Sequence, residues 1–219
     1  DTAAAKAMPG VAGVFTQADI DAANLGTPPP FFQMVGRGGM KPIAPPRYQF
    51  AKDRVRYVGH PVAMVVAETA HQAQDALERI EIDYRDLPAV VDVEEAVKPG
   101  APQLYDEIPN NLSFDCDWGD EAAVEKVFAS APHVVDMTVH NKRVIVNPME
   151  PSACMAWWNE AAKRYEVFRP TQGINFTLMF LQGYFGPPRE QYRFISKDVG
   201  GSFGAGAAAY PEHVAIMVA

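Results

Sequence analysis

Val62-Ala63-Met64-Val65-Val66-Ala67, then Glu68-Thr69, then Ala70 to Arg79 and Ile80 to Tyr84, is the stretch from which the fold class follows. An unbroken apolar run of this length reads as a strand buried on both faces. Thr69 is placed as an N-cap, and Ala73, Ala76, Leu77 and Ile80 recur at helical spacing. Ile80 to Tyr84 alternates apolar and charged residues, the pattern of a strand with one wet face. A strand–helix–strand unit of an α+β layer is expected.

Toward the N-terminus, Val11 to Phe15 reads as a strand and Gln17 to Ala23 as a helix start. Gly26 to Pro46 holds Pro28-Pro29-Pro30, Gly36-Arg37-Gly38-Gly39 and Pro45-Pro46, too many breakers for a regular element, so a long loop is expected. Arg54 to Tyr57 is expected to be a short strand before a Gly59-His60-Pro61 turn. Toward the C-terminus, Pro99-Gly100-Ala101-Pro102 punctuates the chain and places a domain boundary near Glu94 to Gly100, dividing it into 1–94 and 95–219.

Beyond that boundary Asp120 to Ser130 is an acid-led helix, and His133 to Arg143 alternates as a long exposed strand does. Cys154 to Trp158 and Tyr165 to Phe168 form a hairpin around Asn159 to Lys163. Asn175 to Tyr184 is an amphipathic helix with Phe176, Met179, Phe180 and Tyr184 on one face, stopped by Gly186-Pro187-Pro188. Tyr192 to Ser196 is a strand, and Tyr210 to Ala219 an apolar helix. Both ends of the chain read as cuts through a larger protein.

The chain has 219 residues, 48% hydrophobic and 21% charged, with a net charge of −8. That supports a sizeable core and argues against general affinity for nucleic acid or an anionic membrane. No apolar run reaches transmembrane length. The only two cysteines, Cys116 and Cys154, form no CxxC. Reduced thiols in a cytoplasmic protein are the default, with a single disulfide left open.

Two strings carry candidate chemistry: Pro170-Thr171-Gln172-Gly173 and Asp198-Val199-Gly200-Gly201-Ser202-Phe203-Gly204-Ala205-Gly206. Each follows a strand-like run and precedes a helix-like one. Glycine lets backbone approach a bulky ligand, and unpaired N–H groups suit an anion. The glycine string has no Lys-Ser/Thr ending, so it is no P-loop, and its spacing reverses GxGxxG. The five histidines make neither HxH nor HExxH, so no metal ligated by the protein is expected. Ser202 lies outside a GxSxG elbow and reads as a turn serine; Glu150, between two prolines, reads as a turn carboxylate.

Taken together, Asn147-Pro148-Met149-Glu150-Pro151, Thr171-Gln172-Gly173 and Asp198 to Gly204 resemble the molybdopterin-binding large subunit of the xanthine dehydrogenase and aldehyde oxidase family. Met8-Pro9-Gly10-Val11, Val55 to Ala63 and Ile82 to Val90 are similar to that family's α/β hammerhead domain. The resemblance implies an α+β chain: a hammerhead domain followed by the first part of a mixed molybdopterin-binding domain. It implies a molybdenum–molybdopterin cofactor that hydroxylates a heterocycle or aldehyde carbon of a small-molecule substrate with oxygen from water. Electrons then pass to iron–sulfur and FAD subunits or domains of an oligomeric enzyme.

By the same resemblance Gln172 is the candidate catalytic residue, donating a hydrogen bond to an oxo ligand of molybdenum. Gly201, Ser202, Phe203 and Gly204 form the loop whose backbone approaches the cofactor. The family's glutamate base and most pterin contacts lie C-terminal of this loop. The 219-residue chain is therefore expected to hold no cofactor stably and to be inactive alone. Ser202 stands where the family has glycine, and Ala205-Gly206 where it has Gly-Lys or Gly-Asn. The Ser202 hydroxyl is expected to point away from the cofactor with the loop keeping its shape, the alternative being a shifted loop and weaker cofactor binding. A cofactor-free homologue serving as a binding or scaffold module is the second reading, and an unrelated α+β ligand-binding protein the third.

Overall fold

A computed structural model describes residues 1–28 and 35–219. Residues 29–34, in the breaker-rich stretch, lie outside the described residues. The chain forms two compact units: Asp1–Pro30, Pro46–Pro88 and Val146–Ala219 in one, Phe31–Pro45 and Ala89–Ile145 in the other.

The larger unit starts with α1 (Ala3–Lys6), β1 (Val11–Phe15) and α2 (Gln17–Ala22). β1 pairs antiparallel with β2 (Met64–Ala67), from Phe15 opposite Met64 to Val11 opposite Ala67, with a bulge between Val11 and Gly13. α3 (Ala70–Leu77) follows β2, and the Thr69 hydroxyl caps it by accepting from Gln72 N at 3.2 Å. Ala5, Val14 and Ala76 form the core beneath α1 and α3. The apolar run at 62–67 is half-buried rather than buried on both faces, since among the described residues β1 is its one strand partner.

A second sheet has the order β3–β4–β5, with β3 (Met155–Asn159), β4 (Arg164–Phe168) and β5 (Tyr192–Ile195). β3 and β4 are the expected hairpin. β4 and β5 run parallel, Phe168 opposite Ile195, joined through α6 (Ile174–Phe185). Gly186 ends α6 in the left-handed conformation, φ 81°. Leu178, Leu181 and Tyr192 form the core between α6 and this sheet. α7 (Pro211–Val218) packs Ala215 against Ile20 and Phe50.

In the smaller unit Asp92 caps α4 (Val93–Ala96) and Asp120 caps α5 (Glu121–Ser130). Ile43 N donates to Ser113 O at 2.9 Å, and Ser113 Oγ returns a bond to Ile43 O at 2.6 Å.

Three expected strands are absent, for one physical reason. Alternation describes an extended backbone, but a strand also needs a partner for its ladder. Arg54 to Tyr57 instead closes on itself: Arg56 N donates to His60 Nδ1 at 3.3 Å and His60 N to Tyr57 O at 3.1 Å, around Gly59 at φ 83°. In Ile80 to Tyr84, Ile80 N donates back to Leu77 O at 3.2 Å and Glu81 exchanges bonds with Asp1, and among the described residues no ladder forms beyond that. His133 to Arg143 joins no sheet, and Val135 is 90% exposed. The α6 face also differs. Thr177, Leu178, Phe180, Leu181 and Tyr184 are buried, while Phe176 is exposed.

Candidate functional site

Because β4 and β5 are parallel neighbours, the turns that leave them emerge side by side. Arg169 N donates to Ile195 O at 3.1 Å and Thr171 N to Ser196 Oγ at 3.2 Å, which carries the pairing past the strand ends. The first turn delivers Gln172 to the start of α6, and the second opens the glycine loop.

Thr171 ties the two together. Its buried hydroxyl donates to Gly206 O at 2.8 Å and accepts from Gly173 N at 3.2 Å, with Thr177 Oγ1 at 3.1 Å. Gln172 N adds a bond to Gly206 O at 3.2 Å. The Gln172 side chain then turns onto the loop, where Oε1 accepts from Ser202 Oγ at 2.9 Å and from Gly204 N at 3.0 Å. Ser202 Oγ also accepts from Gly206 N at 2.9 Å.

The Ser202 hydroxyl therefore points at Gln172. Serine is accommodated because the left-handed positions fall on its neighbours: Gly201 at φ 117°, Phe203 at 49° and Gly204 at 90°. A Cβ at Gly204 would meet nothing within 4 Å, so its glycine answers to the backbone angle and leaves the loop's outer side open.

Glu150, read from the sequence as a turn carboxylate, braces the loop from behind. Its Oε2 accepts from Gly200 N at 2.6 Å, and a Cβ at Gly200 would lie 2.5 Å from Glu150 Cβ. The placement of Glu150 between two prolines was the sequence signal. Its partner, 50 residues away, was not legible.

Below the turn lies Arg169, 3% exposed, with Nη1 3.4 Å from Thr177 Oγ1 and a buried Nε that has no hydrogen-bond partner among the described residues. Burial lowers its pKa. His213, also buried, is held down to about 4, by burial first and then by the Arg169 charge. Burial raises Cys154, and Arg169 opposes that shift. Both cysteines are free thiols.

Of the sequence-derived candidates, Gln172, Ser202 and Gly204 are joined directly, and Gly201 and Phe203 flank them in the same loop. The Phe203 ring is 76% exposed. Thr171, Arg169 and Gly206 are the members that sequence reasoning assigned no role.

The arrangement fits a large anionic group with oxo ligands. Among the described residues the N–H groups of Gly201, Ser202 and Phe203 donate to nothing, and neither does Gln172 Nε2. Adjacent amides in a loop of alternating backbone sign form a concavity for anions. The Arg169 charge beneath has the matching sign. Among the described residues no three His, Cys, Asp or Glu side chains gather as a metal site, and no helix is long and apolar enough to cross a membrane.

Residues 104–219 match the molybdopterin cofactor-binding domain, and residues 1–88 match the aldehyde oxidase and xanthine dehydrogenase a/b hammerhead domain. The nicotine 6-hydroxylase large subunit of Paenarthrobacter nicotinovorans is 34% identical over 221 residues, covering 100% of this chain and 26% of its own length. The carbon monoxide dehydrogenase large chain of Hydrogenophaga pseudoflava is 29% identical, covering 99% of this chain and 27% of its own length. The crystal structure of quinoline 2-oxidoreductase from Pseudomonas putida 86 superposes with a TM-score of 0.80 at 29% identity, covering 100% of this chain and 27% of its own. The chain thus spans about a quarter of the length of these relatives. With both domain types matched in order along it, the chain belongs to the xanthine dehydrogenase and aldehyde oxidase family of molybdopterin-binding large subunits.

Proposed function

We propose that this chain builds the Gln172 and glycine-loop side of a molybdenum–molybdopterin site in a hydroxylase large subunit. One observation carries the reading. Both acceptor positions of Gln172 Oε1 are taken by Ser202 and Gly204, and among the described residues Nε2 and the N–H groups of Gly201, Ser202 and Phe203 donate to nothing. When bound, the cofactor supplies two-electron oxidation of a heterocycle or aldehyde carbon, with oxygen taken from water.

The chain's own part is to bind and orient. Gln172 Nε2 would donate to an oxo group of the bound cofactor, and the N–H groups of Gly201, Ser202 and Phe203 would meet its anionic oxygens. Gly204 keeps side-chain bulk off the approach. Thr171 and Glu150 hold the two segments in place, and Arg169 supplies a buried positive charge below them. These donors are preorganised, which is what makes them effective against developing negative charge.

The rest of the reading comes from the family. The base that activates water is a glutamate outside these residues, and iron–sulfur and FAD subunits accept the electrons in an oligomeric assembly. The 219-residue chain alone holds no molybdenum stably and is inactive. Its domains divide near Glu94 to Gly100, and the two free thiols suit the cytoplasm. The hydroxylase named for nicotine supports a heterocyclic substrate class.

The test is Gln172→Ala in the molybdenum-loaded protein. Loss of one preorganised donor lowers turnover by about 10²–10³ with the fold intact. Wild-type turnover would refute the role of Gln172. A fully assembled protein without molybdenum would favour the cofactor-free scaffold.

A further inference from the structure

We propose that Ser202 is a positioning residue for Gln172: its hydroxyl, together with the Gly204 N–H, fixes which end of the Gln172 amide faces the loop, and so turns Nε2 outward as the donor of the site. The inference rests on the reading that Gln172 meets the cofactor.

The proton inventory carries it. Ser202 Oγ lies 2.9 Å from Gly206 N and 2.9 Å from Gln172 Oε1. A backbone N–H can only donate, so it takes a lone pair of Oγ, and the single hydroxyl proton goes to Gln172. Gly204 N donates to the same Oε1 at 3.0 Å. Turned over, the amide would set Nε2 against the Gly204 N–H, donor to donor. Two donors would then occupy the Ser202 lone pairs, and the hydroxyl proton would have no acceptor.

Ser202 also closes a ring. Gln172 N donates to Gly206 O at 3.2 Å, Gly206 N donates to Ser202 Oγ, and Ser202 Oγ donates to Gln172 Oε1. Main chain and side chain of Gln172 are thereby both referred to Gly206. The ring has room only because residue 206 is glycine: a Cβ there would lie 2.4 Å from Ser202 Oγ. Ser202 is free of the left-handed conformations of its neighbours, so a side chain costs no backbone strain. A serine placed here to brace a turn would need only the bond to Gly206 N. The second bond, across 30 residues to Gln172, is the one that a merely structural role leaves unexplained.

The test uses the 219-residue chain and the molybdenum-loaded protein that carries it. In the chain, nitrogen-15 NMR follows the side-chain NH2 group of Gln172, assigned by its disappearance in Gln172→Ala. Ser202→Ala should move the Gln172 NH2 signals toward those of a freely rotating amide, and Ser202→Thr, which keeps the hydroxyl, should restore them. In the loaded protein Ser202→Ala should lower kcat about 2- to 10-fold, the effect of one hydrogen bond, with KM and molybdenum content unchanged. Unaltered Gln172 NH2 signals in Ser202→Ala overturn the proposal, as does a folded, loaded Ser202→Thr protein with the same loss as the alanine variant. Wild-type turnover in Gln172→Ala would instead sink the cofactor reading and leave the NMR result standing.

Discussion

Replacing Thr171 by valine removes one hydroxyl at nearly constant volume, and that hydroxyl is the knot between the two turns of the site. Thr171 is 7% exposed, so water does not substitute freely for what is lost. Gly206 O loses the bond at 2.8 Å but keeps the one from Gln172 N at 3.2 Å, a net cost of about 0.5–1.5 kcal/mol. Gly173 N, which donates to the same hydroxyl at 3.2 Å, is left without its partner at a cost of about 1–3 kcal/mol. Thr177 Oγ1 has Gly173 O and Ala207 O within 3.4 Å and adjusts at small cost. The expected destabilisation is about 2–4 kcal/mol. Urea unfolding of the 219-residue chain measures it, with Thr171→Ser as the control that keeps the hydroxyl and most of the stability. A Thr171→Val chain within about 0.5 kcal/mol of wild type would show that the hydroxyl does not join the turns.

Gly206→Ala should destabilise the loop by about 1–3 kcal/mol through the clash with Ser202 Oγ, and Ser202→Gly in the same chain should recover most of it; additive losses in the double variant would contradict the shared space. His213 is neutral when folded and ordinary when unfolded, so its contribution is complete above pH 6.5 and lost as pH falls from 6.5 to about 4. The loss is on the order of 3 kcal/mol, and a difference curve against His213→Gln that stays flat over that window would count against it. Under limited proteolysis, cuts between Gly36 and Pro46 or between Glu94 and Gly100 should precede cuts in β2 and α3; early cleavage inside β2 or α3 would argue against the proposed domain boundary.

What was legible in the sequence was local. The Thr69 cap, the acid-led helix from Asp120, the Gly186 stop and the β3–β4 hairpin all depend on residues within a few positions of each other, and the structure has each of them. The ordered motifs from Met8 to Gly204 also sufficed for the family, because glycine, glutamine and proline at set places leave a record in one dimension. Strand pairing was not legible. Ile80 to Tyr84 and His133 to Arg143 alternate as strands do, yet an alternating segment says nothing about whether a second backbone lies 5 Å away, roughly the ladder spacing.

The site divides in the same way. The sequence by itself determined that Gln172 and the Gly201 to Gly204 loop follow two strands, and that Ser202 departs from glycine. Only the tertiary structure decided where the Ser202 proton goes, because the parallel pairing of β4 with β5 brings together groups 30 residues apart. The same holds for Glu150 behind Gly200 and for Arg169 beneath the turn. A hydrogen bond depends on distance and direction in space, and chain order records neither for residues so far apart.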